Sequence, residues 1–344
     1  MALRVVQWTM GGVARAAVRA VIAHPELELV GCYVWSATKA GRDVGELAGL
    51  ARIGITATND FDEIVALRPD VVAYMPLVWN VDDMVRLLAA GINVVSTANF
   101  ITGHSYGEPD RLRLDEAAKK GGVSLYGSGI NPGLASAVAL TAAAACREIE
   151  QISIFEQSDA TSYESAETWR SLGFGSPPET PGLVETARER QLVFRDVVEV
   201  MAQTLRVRLD EVHYAAEFGV ATKELHLGYM DIPKGTVCGL NGTWQGIVAG
   251  RPLIAVGLLW RLGQAMEPDW EINEGYQIEV RGIPNVRLRY ELDYPANALD
   301  KDANTANPAV NAIPAVVAAR PGIVTMADLP LVTAGSVQAA PLAG

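Results

Sequence analysis

RVVQWTMGGVARAAVRAVIA (residues 4–23) is the stretch that decides the predicted fold of this chain. It begins with a short β-branched run, turns at the glycine pair Gly11 and Gly12, and then holds no helix breaker before Pro25. A strand, a tight turn and a helix in this order are typical of the start of a dinucleotide-binding unit. In such a unit the backbone N–H groups at the helix N-terminus face a pyrophosphate, so side chains in the turn must be small or absent.

The turn departs from the usual Gly-x-Gly-x-x-Gly pattern. Thr9 stands at the first glycine position, Gly11 at the second and Ala14 at the third, where it is still small enough for close helix–strand packing. Taken alone, this turn leaves an ordinary strand–helix connection and a cofactor site as open alternatives. If it binds a cofactor, the candidate residues are Thr9, Met10, Gly11, Gly12 and Val13.

Composition limits the classes of function. The chain has 344 residues, 49% of them hydrophobic and 20% charged, which is typical of a globular protein of two domains. Its net charge is 28 − 40 = −12, and no block of Lys or Arg stands out, so we expect neither a nucleic-acid partner nor an anionic membrane surface. Cys32, Cys146 and Cys238 lie far apart without metal-ligand spacing, so we expect no metal site.

The expected location is cytoplasmic. No apolar run reaches the roughly 18 residues of a membrane span, and the first residues lack the basic and apolar regions of a secretory signal.

The order of predicted elements indicates two kinds of sheet. Through about residue 130, short apolar strands alternate with helices, which predicts a doubly wound parallel sheet. From residue 152 onward, longer strands follow one another, which predicts a mainly antiparallel sheet in an α+β domain. We therefore predict an α/β protein in which residues 1–133 form a Rossmann domain that residues 305–344 complete, while residues 134–304 form the second domain. In the tail we expect a helix that Pro314 interrupts.

Five polar or glycine-rich turns follow the strands of the first domain, at residues 9–13, 34–39, 74–77, 97–102 and 127–133. Because ligands of an open α/β sheet bind at the carboxyl ends of its strands, we expect these turns to form one cofactor site. They add Pro76, Thr97 and Asn131 to the candidate cofactor residues.

The second strand suggests which dinucleotide binds. NAD enzymes usually carry Asp or Glu at its end, to bind the ribose 2′-OH, but here the position holds Val34. Ser36, Lys39 and Arg42 follow, and they could donate hydrogen bonds to a 2′-phosphate. The alternative is that Lys39 and Arg42 are solvated loop charges. We predict NADP as the cofactor, with NAD possible.

Several stretches resemble the dihydrodipicolinate-reductase-like oxidoreductases, and within them the branch of 2,4-diaminopentanoate dehydrogenase and the native amine dehydrogenases. The resemblance lies in VVQWTMGGVA (5–14), LVGCYVWSATKAGRDVGEL (29–47), GINVVSTA (91–98), YGSGINPG (126–133), SDATSYESAETWRSLGFG (158–175) and NPAVNAIPAV (307–316). It implies a Rossmann domain, hydride transfer with NAD(P)H to a small molecule, and an α+β substrate domain that makes the contact of a homodimer.

The chain departs from this branch after the NVVSTA strand. The amine dehydrogenases carry a Glu there that handles the amine proton, whereas this chain has Asn99. An amide can donate a hydrogen bond to a carbonyl oxygen or orient an imine, but it cannot accept a proton from ammonium. His104 is a second catalytic candidate, as a proton donor, and its alternative is a solvated loop histidine.

The candidate substrate pocket consists of Ser128, Tyr163 and Trp169, and an aromatic wall suits an apolar substrate. For Tyr163 and Trp169 the alternative is a core packing role. We predict an NAD(P)H-dependent oxidoreductase that transfers hydride to the C=N or C=O carbon of a mostly apolar small molecule, as an imine reductase or amine dehydrogenase does. Two alternatives stay open: a carbonyl-to-alcohol reductase, and a non-catalytic NADP-binding protein that lost the Glu.

Overall fold

The computed structural model describes residues 2–294 and 302–335. The chain divides into two compact units, which we call unit 1 (Met1–Leu134 with Tyr294–Gly344) and unit 2 (Ala135–Asp293).

The first part of unit 1 alternates strands with helices. Its strands are β1 (Leu3–Trp8), β2 (Leu27–Tyr33), β3 (Ala57–Thr58), β4 (Val71–Tyr74), β5 (Asn93–Ser96) and β6 (Ser124–Gly127). Its helices are α1 (Gly12–Ala23), α2 (Val44–Leu47), α3 (Phe61–Ala66), α4 (Val81–Ala89) and α5 (Glu108–Gly121). Every residue of β4, β5 and β6 is buried, as expected for strands that are covered on both faces.

Unit 2 contains the second sheet. Its helices are α6 (Ala135–Ala143), α7 (Ala166–Ser171), α8 (Leu183–Arg190) and α9 (Leu192–Thr204). Its strands are β7 (Glu148–Asp159), β8 (Glu211–Ala221), β9 (Leu225–His226), β10 (Asp231–Ile232), β11 (Val237–Val248), β12 (Arg251–Arg261), β13 (Met266–Glu267), β14 (Gly275–Ile283) and β15 (Val286–Tyr290). Seven of them form a sheet in the order β13-β8-β11-β12-β7-β14-β15, in which only β12 and β7 pair in parallel. The predicted mainly antiparallel sheet is confirmed.

The tail of the chain completes unit 1 with α10 (Ala303–Val317) and β16 (Gly322–Val324). The order of this sheet is β16-β6-β5-β4-β1-β2-β3, and every neighbouring pair is parallel. The predicted doubly wound parallel sheet is therefore confirmed. Strand order reverses beside β1, because β2 lies on one side of it and β4 on the other.

The predicted interruption of the tail helix at Pro314 is wrong, since α10 continues through both Pro308 and Pro314. A proline inside a helix costs about 3 kcal/mol. However, Val310, Ile313 and Val316 are fully buried on α10, which packs beside α1. Burial of one such side chain contributes about 1.5–3 kcal/mol, so the three together, at about 4.5–9 kcal/mol, offset the cost of two prolines, about 6 kcal/mol.

Candidate functional site

The carboxyl ends of β1, β2 and β4 meet at the point where strand order reverses in unit 1. In open α/β sheets this point is the crevice in which a ligand binds. Hydrogen bonds join the three ends. The backbone N–H of Thr9 donates to the carbonyl of Tyr33 after β2 at 2.8 Å, and the Thr9 hydroxyl donates to the carbonyl of Met75 after β4 at 3.1 Å.

Thr9 also explains how the degraded glycine motif still forms a turn. Its φ is 72°, in the left-handed region that glycine occupies easily and β-branched residues rarely adopt. The two hydrogen bonds to Tyr33 and Met75 hold this unfavourable conformation. The turn therefore keeps the backbone geometry that a first glycine would give, at a cost in strain that contacts with neighbouring strands offset.

A cavity of about 230 Å³ opens between these strand ends. Its lining includes the predicted cofactor residues Thr9, Met10, Gly11, Ser36, Lys39 and Pro76. It also includes Val34, Trp35, Met75 and Leu77, which lie in the predicted turns 34–39 and 74–77 but were not among the individually named candidates. Trp35 is 48% exposed and Leu77 is 90% exposed, although both are large and apolar. A large apolar residue directly after a buried strand, in a turn otherwise expected to be polar, was the signal that could have identified them.

Lys39 and Ser36 have defined positions on the β2 side of the cavity. The Nζ atom of Lys39 donates to the carbonyl of Met10 at 3.0 Å, which connects this loop to the glycine turn. The Ser36 hydroxyl shares a hydrogen bond with that of Thr38 at 2.6 Å. Arg42 is exposed and is not part of the cavity lining. Ser36 and Lys39 are thus brought together at the cavity, and Arg42 is not.

Asp43 anchors the loop that carries these residues. Its carboxylate accepts hydrogen bonds from the backbone N–H groups of Gly45, Glu46, Ile53 and Gly54. Desolvation opposes ionisation of Asp43, but these four donors outweigh it, so the pKa of the carboxyl is lowered. The charge of Asp43 therefore stabilises the loop in which Lys39 lies.

The N-terminus of α1 is open toward the same turn. Gly11 occupies its N-cap position without a side-chain cap, and a Cβ at Gly11 would meet no atom within 4 Å. Gly12 and Val13 form the first turn of the helix and do not line the cavity. Free N–H groups at a helix N-terminus, together with the helix dipole, favour an anion such as a pyrophosphate.

The ends of β5 and β6 continue this edge of the sheet. The Thr97 N–H donates to the carbonyl of Tyr74 at 3.2 Å, and the Ser128 N–H donates to the carbonyl of Ser96 at 3.0 Å. Asn99 is exposed and has a φ of 51°, a left-handed conformation that Asn tolerates better than most residues.

Contacts of Tyr106 position the loop after Asn99. The Tyr106 ring stacks on Trp79 at 4.5 Å, and its hydroxyl donates to the carbonyl of Ala98. His104 begins a short 3-10 turn, with its Nε2 atom 3.7 Å from the Oε2 atom of Glu108. A hydrogen bond from Arg111 lowers the pKa of Glu108, which keeps a negative charge beside His104.

The glycine-rich turn after β6 packs tightly. The carbonyl of Phe100 lies where a Cβ of Gly127 would be, so only glycine fits there. Ser128 is buried and its side chain hydrogen-bonds to the phenolic oxygen of Tyr126, whose pKa is raised by burial. Asn131 lies in the turn Ile130–Leu134 with an extended backbone and does not line the cavity.

Tyr163 and Trp169 contact each other in unit 2. The Trp169 indole N–H donates to the carbonyl of Tyr163 at 2.8 Å, and the two rings lie 5.7 Å apart, edge to face. Trp169 is 2% exposed and also contacts Phe174 and Trp260, so it is a core residue of this aromatic cluster. Tyr163 is 55% exposed and forms its accessible side.

Across residues 2–294 and 302–335, no group of three or more His, Cys, Asp or Glu side chains could hold a metal ion. Within the same residues, no helix is both long and apolar enough to cross a membrane.

Comparisons with known proteins give the relatives of the chain. Residues 135–341 match the family model of the 2,4-diaminopentanoate dehydrogenase C-terminal domain. The chain is 29% identical over 351 residues to an amine dehydrogenase of Streptomyces virginiae, covering 95% of this chain and 96% of the relative. It is 26% identical over 246 residues to 2,4-diaminopentanoate dehydrogenase of Acetoanaerobium sticklandii, covering 70% and 67%. The amine dehydrogenase structure from Mycobacterium smegmatis superposes with a TM-score of 0.77 at 20% identity, covering 96% and 97% of the two chains.

Proposed function

The chain belongs to the 2,4-diaminopentanoate dehydrogenase family of NAD(P)-dependent oxidoreductases, and we propose that it reduces the C=N or C=O carbon of a mostly apolar small molecule. The observation that carries this proposal is the cavity at the point where strand order reverses, with the open N-terminus of α1 beside it. Parallel sheets bind dinucleotides at this place.

The residues of unit 1 fit a nicotinamide dinucleotide. The N–H groups of Gly12 and Val13 would hold its pyrophosphate, and Trp35 and Leu77 offer apolar surface for its adenine. When bound, the cofactor supplies the hydride. The protein contributes binding and orientation through the turns that follow β1, β2 and β4.

We further propose NADP in preference to NAD. Lys39 and Ser36 line the cavity, and none of the described residues that line it is an Asp or Glu that could bind a ribose 2′-OH. A lysine ammonium and a hydroxyl can instead donate to a 2′-phosphate. Arg42 is exposed beyond the cavity and is the weakest of the three donors proposed from the sequence.

At the reacting end we propose Asn99 as the residue that orients the substrate heteroatom. Thr97 lies at the end of the same strand, β5, and Ser128 at the end of the neighbouring strand, β6. Asn99 is exposed after β5, and its neutral amide can donate a hydrogen bond without changing charge. This favours carbonyls or preformed imines over free ammonia and a ketone. His104 remains a candidate proton donor, held beside Glu108. Tyr163 is the proposed pocket wall in unit 2, backed by Trp169.

Reduction of a carbonyl to an alcohol is the second candidate, because Asn99 can hydrogen-bond to a carbonyl oxygen as well as it orients an imine. A non-catalytic NADP-binding protein is the third. We also propose that the protein is a homodimer, the state that the family resemblance implies, which analytical ultracentrifugation measures directly.

The test combines binding with turnover. We expect NADPH, and more weakly NADH, to bind at sub-millimolar concentration in a nicotinamide fluorescence titration. We then expect oxidation of the cofactor with apolar aldehydes, ketones or cyclic imines, measured with and without ammonia. Absence of binding would contradict the whole proposal. Tight binding with no turnover across the panel would favour the non-catalytic candidate.

A further inference from the structure

Asp302 lies against the first turn of α1. It is the N-cap residue of α10, yet its side chain makes no capping hydrogen bond with that helix. Its carboxylate instead lies against Gly12. The Oδ2 atom is closer than van der Waals contact to the point that a Cβ of Gly12 would occupy, and the Cγ atom lies 3.1 Å from that point. Both residues belong to unit 1. The tail of the chain thus delivers a negative charge to the N-terminus of the first helix.

The Asp302 carboxylate supplies a negative charge that the first turn of α1 itself does not contain. The helix has no acidic residue in its first turn and no side-chain cap, so the positive end of its dipole is not compensated locally. Across residues 2–294 and 302–335, the Asp302 carboxylate makes no hydrogen bond or ion pair. Among the described residues, the N-terminal turn of α1 is the neighbour that the structure places against this carboxylate.

The position of this carboxylate conflicts with cofactor binding. A pyrophosphate carries two negative charges and would take the N–H groups of Gly12 and Val13, close to the Asp302 carboxylate that lies against Gly12. Two anions cannot both take full advantage of one helix end, and at contact range they repel each other. Binding must either displace Asp302 or tolerate the repulsion.

We propose that Asp302 is a built-in competitor for the pyrophosphate position, which stabilises the cofactor-free state and weakens cofactor binding. This inference rests on the proposed function, because it assumes that a dinucleotide binds at Gly12. It explains why residue 12 is a glycine although its φ is not left-handed: any side chain there would expel the carboxylate. The competitor also favours release of the oxidised cofactor.

The test is the variant Asp302→Asn, which keeps the size of the side chain and removes its charge. We expect its Kd for NADPH, NADH and ADP-ribose to fall about three- to tenfold at low ionic strength, as loss of one unit of repulsion near contact range implies. The gain should shrink at high ionic strength, since salt screens exposed charges. Asp62→Asn, an exposed carboxylate in the first turn of α3, is the control for the change in net charge.

Thermal unfolding provides a second readout that a purely structural role would not reproduce. Without cofactor, Asp302→Asn should unfold at a slightly lower temperature, because α1 has lost its anion. With saturating NADPH, Asp302→Asn should instead unfold at a higher temperature than wild type. Weaker cofactor binding by the variant would show that Asp302 is a cofactor ligand and would overturn the inference, as would equal binding. If neither wild type nor the variant binds a cofactor, both the proposed function and this inference are wrong. If only the variant binds, the inference holds.

Discussion

Asn99 gives the sharpest test of the proposed chemistry, through the replacements Asn99→Asp and Asn99→Glu. The residue has a φ of 51°; its N–H donates to the carbonyl of Thr97 at 3.1 Å, and its own carbonyl accepts from the Ser105 hydroxyl at 3.3 Å. Asp tolerates this left-handed conformation about as well as Asn does, so Asn99→Asp should leave stability unchanged. Glu should lower the free energy of unfolding by about 1 kcal/mol, because longer L-residues are strained there.

The new carboxylate should change which nitrogen source the enzyme can use. It can accept a proton from ammonium and stabilise an iminium, which the amide cannot do. A positioned general base contributes about 10²–10⁴-fold, and for an exposed position we expect a gain of at least about tenfold in ammonia-dependent turnover. The gain should appear as pH rises through the pKa of the new carboxyl, since only the ionised form accepts a proton.

The assay follows NADPH oxidation with one ketone in the presence and absence of ammonia. Asn99→Gln is the matched control, because it has the length and backbone strain of Glu without the charge. Wild type should reduce carbonyls or preformed imines better than it aminates ketones. The reasoning is refuted if wild type already aminates ketones efficiently, or if Asp and Glu give no more ammonia-dependent turnover than Gln.

Three further predictions concern the cofactor turn and its support. Lys39→Ala should weaken NADPH binding about ten- to a hundredfold, because a charge-assisted hydrogen bond is lost, and should leave NADH binding nearly unchanged. A fluorescence titration measures both affinities, with Arg42→Ala as control. Equal loss of NADPH and NADH affinity would show that Lys39 does not contact a 2′-phosphate. Thr9→Val should lower the free energy of unfolding in urea by about 0.5–1.5 kcal/mol, because it removes the hydrogen bond to Met75 and keeps the strained φ. Thr9→Gly also relieves the strain, so its free energy of unfolding should fall by less. A larger loss for Thr9→Gly than for Thr9→Val would contradict this account. Because the folded-state pKa of Asp43 is lowered, its contribution to stability is present above the unfolded pKa and is lost as pH falls through the folded value. Asp43→Asn should therefore have a lower free energy of unfolding in urea at neutral pH, and this free energy should fall less steeply than that of wild type as pH decreases. An unchanged dependence of the free energy of unfolding on acid pH would exclude this role.

The amino-acid sequence by itself determined the fold class and the family. Strands such as β4 read as short continuous apolar runs and the helices between them begin with residues such as Asn80, whose side chain caps α4 as its position suggests. These signals are local, because strand burial and helix capping depend on residues only a few positions apart. The site residues inferred from the strand ends stay predictions about function, although six of them line one cavity.

Only the tertiary structure decided how the site is built. Thr9 can hold a left-handed φ because Tyr33 and Met75, on two other strand ends, accept its hydrogen bonds. Pro314 stays inside α10 because that helix buries its apolar face in unit 1, and Asp302 reaches Gly12 because α10 packs beside α1. Each of these features joins residues far apart in the chain. Their energy arises from a long-range contact, which periodicity and propensity along the sequence do not encode.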